Sequence, residues 1–394
     1  MRVCVAAAAK DDVIDLLAFP RADGRWGIRN HVLVLPLHAA ACNAAELVVR
    51  HVPSAVTVRH DWQALSNDPD AGRVARTFVG FASHPNVAAC IVIGVDEEGA
   101  AVAQAAKLRG SDVHVFSLAG CGGTERTVAA AAPVALELTT GAAQMSREPA
   151  PTAALVLGLE CGASDAWSGV TANPALGAAS DRLVAAGGTA ILAETSELLG
   201  AEHLLARRAA TPEIGAAIVE MVARFERDIA TFGVDLRGSQ PTPGNIAGGL
   251  STIEEKSLGA ARKGGNAPVS GVLDYAGRPL SVGLHVMDTP GQDIEQMVGM
   301  VAGGANIVAF TTGHGTPTGS PIAPCLKIST TSAAFERVTD VIDLNAGTIL
   351  DGTETLEEAG IRILERLVAV ANGELTATER RRNHEFALSR LASA

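Results

Sequence analysis

Short, continuous apolar runs alternate with helical patterns along this chain, and this alternation constrains the fold more than any other feature. In the first third, the runs cover residues 31–37, 55–59, 89–95 and 113–118. Continuous apolar runs between helices are typical of parallel strands that are covered on both faces. The pattern predicts an α/β domain with a Rossmann-like parallel sheet.

The same pattern restarts after residues 146–151, which have the composition of a linker. Further strands are predicted at residues 154–159, 189–193, 271–274, 283–287, 306–311, 325–329 and 341–343. We therefore predict an α/β protein with two consecutive parallel-sheet domains, the second larger and with long Gly-rich loops at its strand ends. The predicted boundaries are an N-terminal extension over 1–22, a Rossmann-like domain over 23–145, and a catalytic domain over 151–394. Within the catalytic domain, residues 376–394 are predicted to form a charged surface helix.

The charge balance excludes several classes of partner. The formal net charge is −12, which repels nucleic acid and anionic membranes. The chain shows no basic patch interleaved with aromatic residues and no run of about 20 apolar residues. An acidic protein that binds a small acidic substrate must concentrate positive charge locally, in Arg, Lys or a metal ion.

The cysteines and the start of the chain predict a cytoplasmic protein. The six cysteines are scattered and form no CxxC pair, so reduced thiols are expected. The first residues have a short Ala run followed by acids, which is unlike a secretion signal.

The exit of the strand at 154–159 carries the first candidate constellation. Ligands bind at the carboxyl ends of strands in open α/β sheets, and here Glu160 and Asp165 follow the apolar run. We expect both carboxylates to face a ligand, with Asn173 capping the next helix and Pro174 in its first turn. An ordinary strand-to-helix turn is the alternative.

Three further loops carry polar residues. The Gly-rich segment 238–256 can hold carboxylate oxygens through its backbone N–H groups, and it can equally be a surface loop in which Lys256 forms a salt bridge. Asp288 precedes a Thr-Pro-Gly turn, and His314 lies between two glycines. An imidazole in such a loop can ligate a metal or act as acid or base, although it can also be a plain surface residue.

The first domain offers weaker candidates. Arg25 and Arg29 can clamp a carboxylate or form salt bridges to nearby acids. His60 and Asp61 can join a metal site, and Cys121 lies in a Gly-rich turn that can hold an anion. The chain has no P-loop, no GxSxG elbow and no GxGxxG between strand and helix.

Several long motifs, among them LECGASDAWSGVTANPALGAASD, RGSQPTPGNIAGGLSTIEEKSLGA and MVAGGANIVAFTTGHGTPTGSPIAP, resemble the altronate/galactarate dehydratase family. The sulfolactate sulfo-lyase large subunit is similar to the same family. The likeness runs from Asp23 to the C-terminus. It implies a metal-dependent lyase, typically with Fe²⁺, that removes water from a sugar acid or related hydroxy-acid to give a 2-oxo acid.

The chain departs from the family pattern in two ways. Only residues 1–22 precede DGRWGIRN, where family members often carry a small N-terminal domain, so we expect a separate small SAF-like subunit or a different substrate. Two first-domain cysteines of the family are replaced in HDWQALSND and GVDEEGA. The side chains of His60, Asp61, Glu97 and Glu98 can substitute as ligands, which would favour Mg²⁺ or Mn²⁺.

The sequence therefore leads to definite assignments. We predict catalytic roles for Glu160, Asp165, Asp288 and His314, and metal ligation by His60, Glu160 and Asp288. The predicted substrate-binding residues are Arg25, Arg29, Ser239, Gln240, Thr242, Asn245, Lys256 and Thr312. The alternatives are a sulfo-lyase large subunit that releases sulfite from sulfolactate, and an inactive sugar-acid-binding paralogue. The many small apolar residues favour a homodimer.

Overall fold

The computed structural model describes residues 14–63, 68–97 and 99–390. The candidate ligand Glu98 therefore lies outside the described residues, as do most of the predicted N-terminal extension and the last four residues of the tail.

The first domain has a four-stranded parallel sheet with the order β4-β3-β5-β6. The first six strands along the chain are β1 (Leu16–Pro20), β2 (Trp26–Gly27), β3 (His31–Pro36), β4 (Val56–Thr57), β5 (Val87–Gly94) and β6 (Asp112–Ser117), of which β3 to β6 form this sheet. The helices are α1 (Cys42–His51), α2 (Ala71–Ala82), α3 (Gly99–Lys107), α4 (Leu118–Cys121) and α5 (Thr124–Gln144). The four predicted strands of this domain are confirmed.

Alternation along the strands of this sheet separates two cores. Val34, Ile91 and Ile93 face α1 and α5, while Leu33 and Val92 join a second core that also contains residues of the second domain. Because successive side chains of a strand point to opposite faces, one face of the first sheet is free to pack against the second domain.

The second domain has a seven-stranded parallel sheet with the order β10-β11-β9-β8-β12-β13-β14. Its strands are β8 (Val156–Gly162), β9 (Thr189–Leu192), β10 (Val269–Leu273), β11 (Gly283–Met287), β12 (Ile307–Thr312), β13 (Cys325–Ser329) and β14 (Leu344–Asn345). The predicted strand at 341–343 is wrong. The Asp343 carboxylate accepts the backbone N–H groups of Lys327 and Ala377, so this segment is a loop and the strand follows it.

Helices cover both faces of the second sheet. They are α6 (Ala172–Ala185), α7 (Glu202–Ala206), α8 (Pro212–Ala230), α9 (Leu236–Ser239), α10 (Pro243–Ala247), α11 (Ile253–Ala261), α12 (Asp293–Ala302), α13 (Ser332–Arg337), α14 (Leu356–Ala371) and α15 (Ala377–Arg381). In the described part of the chain, none of the helices combines the length and apolar character that a bilayer crossing requires.

The described parts of the predicted extension, linker and tail helix pack on the two domains. Strand β1 pairs antiparallel with β2 and with β7 (Glu148–Ala150). The prediction of one helix over 376–394 is wrong, because α15 ends at Arg381. Beyond it, Phe386 and Leu388 pack into the core shared by the two domains, which removes them from solvent without a helix.

The strand order places a topological switch point between β8 and β12. The chain leaves β8 towards β9 on one side, and β12 later pairs with β8 on the other side. Connections from these two strands diverge, which opens a crevice at their carboxyl ends, where ligands bind in open α/β sheets.

Candidate active site

A cavity of about 230 Å³ lies at the carboxyl end of β8, with Cys161, Asp165 and Lys256 among its lining residues. Asp165 packs against Gly313 so closely that a Cβ atom there would lie 2.6 Å from the Asp165 Cγ atom. Thr330 and Ser168 donate hydroxyl hydrogen bonds of 2.8 and 3.0 Å to the Asp165 carboxylate. This carboxylate is therefore held in one orientation in the loop that follows β8.

A buried polar cluster of Cys161, Glu194, Glu197, Lys256 and Lys263 lies beside the cavity. The Lys263 ammonium is 2.8 Å from the Cys161 sulfur and 3.4 Å from Glu197 Oε2. Lys256 Nζ is 3.0 Å from Glu197 Oε1, and the Cys161 thiol is 3.0 Å from Glu197 Oε2. Two cations thus converge on one carboxylate at the exit of β8 and β9.

Glu194 is held in an unusual backbone conformation. It follows β9 directly and has φ of 73°, which is uncommon for a residue other than glycine. Its backbone N–H donates to Thr289 Oγ1 at 2.7 Å, and its carboxylate accepts from Gln296 at 3.2 Å. Strain of this kind persists where the surrounding structure over-determines it, often at functional sites.

The charges of the cluster follow from its neighbours. Although burial opposes ionisation, Lys256 and Lys263 lower the pKa of Glu197 to about 2. Burial, together with the adjacent Glu197 charge, raises the pKa of Glu194 well above its ordinary value. The same two causes raise the pKa of the Cys161 thiol. The two lysines thus favour the charged form of Glu197, whereas burial favours the neutral forms of Glu194 and Cys161.

Three members of this cluster can bind a metal ion. One ligand atom from each of Cys161, Glu194 and Glu197 lies within 4.8 Å of the others, and all three residues are buried. A divalent cation there would be matched by a thiolate and two carboxylates, which suits a borderline ion such as Fe²⁺ or Zn²⁺ better than Mg²⁺. The donor set therefore fits the kind of metal that the family resemblance implies.

Glu160 lies on the other face of β8, away from Cys161. Both of its carboxyl oxygens are buried and accept no hydrogen bond from any described residue, and burial raises its pKa well above the ordinary value. Nearby, the Lys327 ammonium sits 3.3 Å from the centre of the Phe310 ring, and burial lowers its pKa. Burial also raises the pKa of Asp293. This face of β8 therefore carries a buried carboxyl group whose pKa is raised.

The structure does not bring the predicted metal residues His60, Glu160 and Asp288 together, which is a correction. His60 lies in the first domain, where Nε2 bonds to Pro36 O at 2.9 Å and Nδ1 accepts the N–H of Trp62. Both ring nitrogens are thus occupied. The sequence could not reveal these local bonds.

Asp288 and His314 are placed around the cluster and not in it. The Asp288 carboxylate pairs with Arg224 at 2.7 Å and accepts from Thr195 Oγ1 at 2.7 Å, so it anchors the loop that carries Glu194. His314 is exposed, on the loop whose Gly313 contacts Asp165.

The two predicted arginine clamps are structural, which is a second correction. Arg29 forms a bidentate pair with Glu379 (2.7 and 3.0 Å) and also donates to the carbonyls of Val370 and Glu374. Arg25 pairs with Asp23 and donates to Ser83 O. Their guanidinium groups tie the N-terminal segment to the rest of the protein, so neither is directed at the cavity.

The loop over 238–256 is ordered by short helices. Lys256 lines the cavity and donates to Gln240 Oε1 at 3.4 Å. Thr242 and Asn245 form a capping box at α10, and Asn245 donates to Ser164 O at 2.9 Å. Ser239 is exposed at the end of α9. The segment therefore delivers Lys256 to the cavity and fixes the wall opposite it.

Other predicted polar residues shape loops. Thr312 Oγ1 accepts the N–H groups of Gly315 and Thr316. Asn173 is not a helix cap, because α6 begins at Ala172. Its side chain instead accepts from Thr311 Oγ1 at 2.6 Å.

In the first domain, Asp61 pairs with Arg390, Glu97 is exposed and Cys121 is half-buried.

Sequence reasoning missed Glu194, Glu197, Lys263 and Lys327 as site residues. Two of them carried a signal: Glu194 directly follows an apolar run, and Lys327 interrupts the otherwise apolar run CLKIS of a buried strand. A lysine is almost never fully buried unless it is paired. Glu197 and Lys263 carry no comparable local signal.

Comparisons with known proteins identify the family. The C-terminal model of D-galactarate/altronate dehydratase matches residues 152–394, and the second-domain model of D-galactarate dehydratase/altronate hydrolase matches residues 18–143. Because the first of these matches alone covers more than half of the chain, the chain belongs to this family.

Three relatives illustrate its range. The chain is 37% identical over 378 residues to the (2R)-sulfolactate sulfo-lyase subunit beta of Chromohalobacter salexigens, covering 95% of this chain and 97% of that protein. It is 32% identical over 383 residues to altronate dehydratase of Bacillus subtilis, covering 94% and 76%. It is 41% identical over 231 residues to galactarate dehydratase (L-threo-forming) of Escherichia coli, covering 59% and 44%.

Proposed function

We propose that this member of the D-galactarate/altronate dehydratase family is a lyase that removes water from a sugar acid or related hydroxy-acid to give a 2-oxo acid. The observation that carries the proposal is the convergence of Lys256, Lys263 and the Cys161–Glu194–Glu197 group beside a cavity lined by Asp165. This arrangement combines positive charge for an acidic substrate with a fixed carboxylate.

Substrate binding relies on the lysines. Lys256 lines the cavity and is held by Glu197 and Gln240. Its ammonium can therefore bind the substrate carboxylate with little further loss of side-chain conformational entropy. Lys263 lies behind it and adds a second positive charge. Electrostatic groups that are fixed before the reaction stabilise the negative charge that develops on the enediolate, by about 3–4 kcal/mol each.

Asp165 is the proposed base for the proton on the α-carbon. Thr330 and Ser168 orient its carboxylate at the cavity, and a positioned base is the first requirement for general-base catalysis. The Cα–H electrons then move into the enediolate, the bond from Cβ to its substituent breaks, and the enol tautomerises to the 2-oxo acid.

Departure of hydroxide requires a proton, because hydroxide is a poor leaving group. His314 is the proposed donor, since it is exposed on the loop that contacts Asp165 through Gly313. We propose that Glu160, a buried carboxyl group whose pKa is raised, preserves the positive balance around Lys263. Asp288 is proposed to position the loop that carries Glu194.

Cys161, Glu194 and Glu197 would hold the divalent metal, for which we propose Fe²⁺, with Mg²⁺ or Mn²⁺ as alternatives. When bound, the ion supplies Lewis acidity towards the substrate carboxylate. The protein groups retain the tasks of binding, orientation and proton transfer.

The second candidate is a sulfo-lyase subunit that releases sulfite from a sulfolactate. It is favoured by the alignment that covers 97% of the length of the sulfo-lyase relative, against 76% of the altronate dehydratase. The first half of the reaction is the same, and sulfite leaves without a proton.

The test is an assay of anaerobically purified, metal-analysed protein against aldonates, aldarates and sulfolactate, with detection of 2-oxo acid and of sulfite. A 2-oxo acid from a sugar acid supports the dehydratase. Sulfite release supports the second candidate, in which case His314→Gln should leave the rate unchanged. Binding without turnover across the panel, with and without a co-expressed small subunit, would contradict both and support an inactive sugar-acid-binding paralogue.

Three further assignments remain proposals. The sulfo-lyase relative is named as a subunit, which supports a separate small SAF-like partner for this chain. We also propose a homodimer, which analytical ultracentrifugation would test. A cytoplasmic location is proposed because all cysteines among the described residues are free thiols.

A further inference from the structure

A second cavity of about 570 Å³ lies between the two domains and shares no lining residue with the cavity at Cys161. Its walls come from the end of α1 and the segment after it, from residues 320–323, and from residues around α15. His31 begins β3, and residues 320–323 immediately precede β13. The second cavity therefore lies at the amino ends of these strands, whereas the candidate active site lies at carboxyl ends.

The walls of this cavity concentrate positive charge and hydrogen-bond donors. Arg50 and Arg382 come from different domains, and among the described residues neither guanidinium forms an ion pair or hydrogen bond. His31 and His384 also line the cavity, and their rings make no hydrogen bond within the described part of the chain. Arg50, Arg382 and His384 are exposed, so the cavity offers positive charge and hydrogen-bond donors to a ligand that arrives from solvent.

The one acid in the lining does not cancel this charge. Glu379 is bound in bidentate fashion by Arg29, so the pair is neutral and Arg50 and Arg382 remain as net positive charge. Burial and the nearby Arg29 lower the pKa of His31 to about 4, and burial lowers that of His384. Both imidazoles are therefore neutral at pH 7 and can each donate one hydrogen bond.

The backbone of Arg382 is fixed at the end of α15. Its φ is 58°, in the left-handed region that residues other than glycine rarely adopt. Its backbone N–H is fixed to Glu379 O at 3.1 Å. Arg382 is thus the left-handed C-cap of α15, a common helix ending, and this cap fixes its backbone beside Glu379.

We propose that this cavity binds a small organic dianion. Two guanidinium groups, one from each domain, match two negative charges, since guanidinium pairs with carboxylate or phosphate oxygens through parallel hydrogen bonds. Apolar lining by Val49, Pro53 and Leu375 accommodates a carbon skeleton. Because the walls belong to both domains, the bound ligand fastens one domain to the other.

The experiment measures binding by calorimetry and by the shift in melting temperature, with succinate and glucose 6-phosphate as probes and glucose as the uncharged control. The buffer is low in chloride, since anions compete for the same charges. We expect saturable binding of at least one dianion, no binding of glucose, and a melting temperature that rises with ligand concentration. Succinate binding alone identifies a dicarboxylate site, and glucose 6-phosphate binding alone identifies a phosphate site.

Variants locate the ligand. Arg50→Gln and Arg382→Gln should each weaken binding by about tenfold, the loss of one charge-assisted contact. Arg126→Gln removes an exposed arginine outside the cavity, and Lys256→Gln alters the other cavity, so both should leave the affinity unchanged. Because Arg50 is exposed, the Arg50→Gln variant should fold normally, and it tests the proposal if the Arg382→Gln variant does not fold. The proposal is overturned if neither dianion binds at millimolar concentration, or if Lys256→Gln abolishes binding while Arg50→Gln preserves it.

Discussion

The ammonium nitrogen of Lys263 lies 2.8 Å from the sulfur of Cys161, and both side chains are almost completely buried. The same ammonium lies 3.4 Å from Glu197 Oε2, so Lys263 joins the Cys161 sulfur to the Glu197 carboxylate at the exit of β8. Removing one partner of such a buried pair leaves the charge of the other uncompensated. The free-energy cost of that uncompensated charge is much larger than the stabilisation that the intact pair provides.

Lys263→Met should therefore destabilise the protein by about 3–5 kcal/mol and raise the pKa of Glu197, because Lys263 is one of the two cations that lower it. Urea unfolding measures the first effect, and the activity of the folded fraction should fall with it. Lys107→Met, at the exposed end of α3, is the control. Equal stability of the two variants would contradict the role of Lys263.

Asp165→Asn keeps the size of the side chain but removes the carboxylate that we propose as the base. We expect kcat to fall by about 10²–10⁴-fold while the melting temperature changes little, since one of the two hydroxyls of Thr330 and Ser168 can still donate to the amide oxygen and the other can accept from the amide NH₂ group. Asp228→Asn, on the exposed face of α8, should retain full activity. A variant with unchanged kcat would exclude Asp165 as the base.

Cys161→Ser should weaken divalent-metal binding, because the serine oxygen is a harder donor than thiolate sulfur and the serine hydroxyl is much less acidic than a thiol. The expected change in affinity under anaerobic conditions is at least about 10-fold, comparable with the loss caused by disturbing a metal site. Metal content after dialysis against a weak chelator provides the measurement. Cys121→Ser, in the half-buried turn of the first domain, should bind the metal like the wild type.

Asn86 connects the domains with a fully satisfied side chain. Its Oδ1 accepts the N–H of Ile28 at 2.9 Å, and its Nδ2 donates to Asn306 O and Ile322 O at 2.8 and 2.9 Å. Asn86→Ala leaves these buried backbone groups without partners, at a cost of about 1–3 kcal/mol for each unsatisfied group. Asn43→Ala, exposed on α1, should change the free energy of unfolding by less than about 0.5 kcal/mol.

His84 should make the protein acid-sensitive. Burial lowers its pKa to about 3 from 6.5, and its Nδ1 accepts the Asn86 N–H while Nε2 bonds to Ala305 O. Because the folded state resists protonation, the unfolded state binds the proton first, and stability falls as the pH drops below 6.5. The contribution is about 1.4 kcal/mol per pH unit until the pH approaches 3.

His84→Gln should reduce this slope of stability against pH by about one proton, measured by urea unfolding between pH 4 and pH 7. His203→Gln removes an exposed imidazole and should leave the slope as in the wild type. A wild-type slope in the His84 variant would mean that other groups, such as the buried His31, account for the acid sensitivity.

The sequence by itself determined the layers of the fold and the edge at which the site lies. Continuous apolar runs predict β3, β5, β8, β11, β12 and β13, because burial on both faces of a parallel sheet demands them. The polar residues after β8 predict a candidate site at the carboxyl end of this strand, and a cavity there is lined by Asp165 and by Lys256 of α11. These features are local, so the order of residues is enough to reveal them.

Only the tertiary structure decided which charged groups meet. Cys161 and Lys263 are 102 positions apart, and Arg29 and Glu379 are 350 apart. Nothing in the neighbourhood of Arg29 distinguishes a carboxylate clamp for substrate from a clamp for Glu379. The partner of a long charged side chain depends on how distant elements pack, since the free energy of burying its charge is set by the groups that surround it after folding.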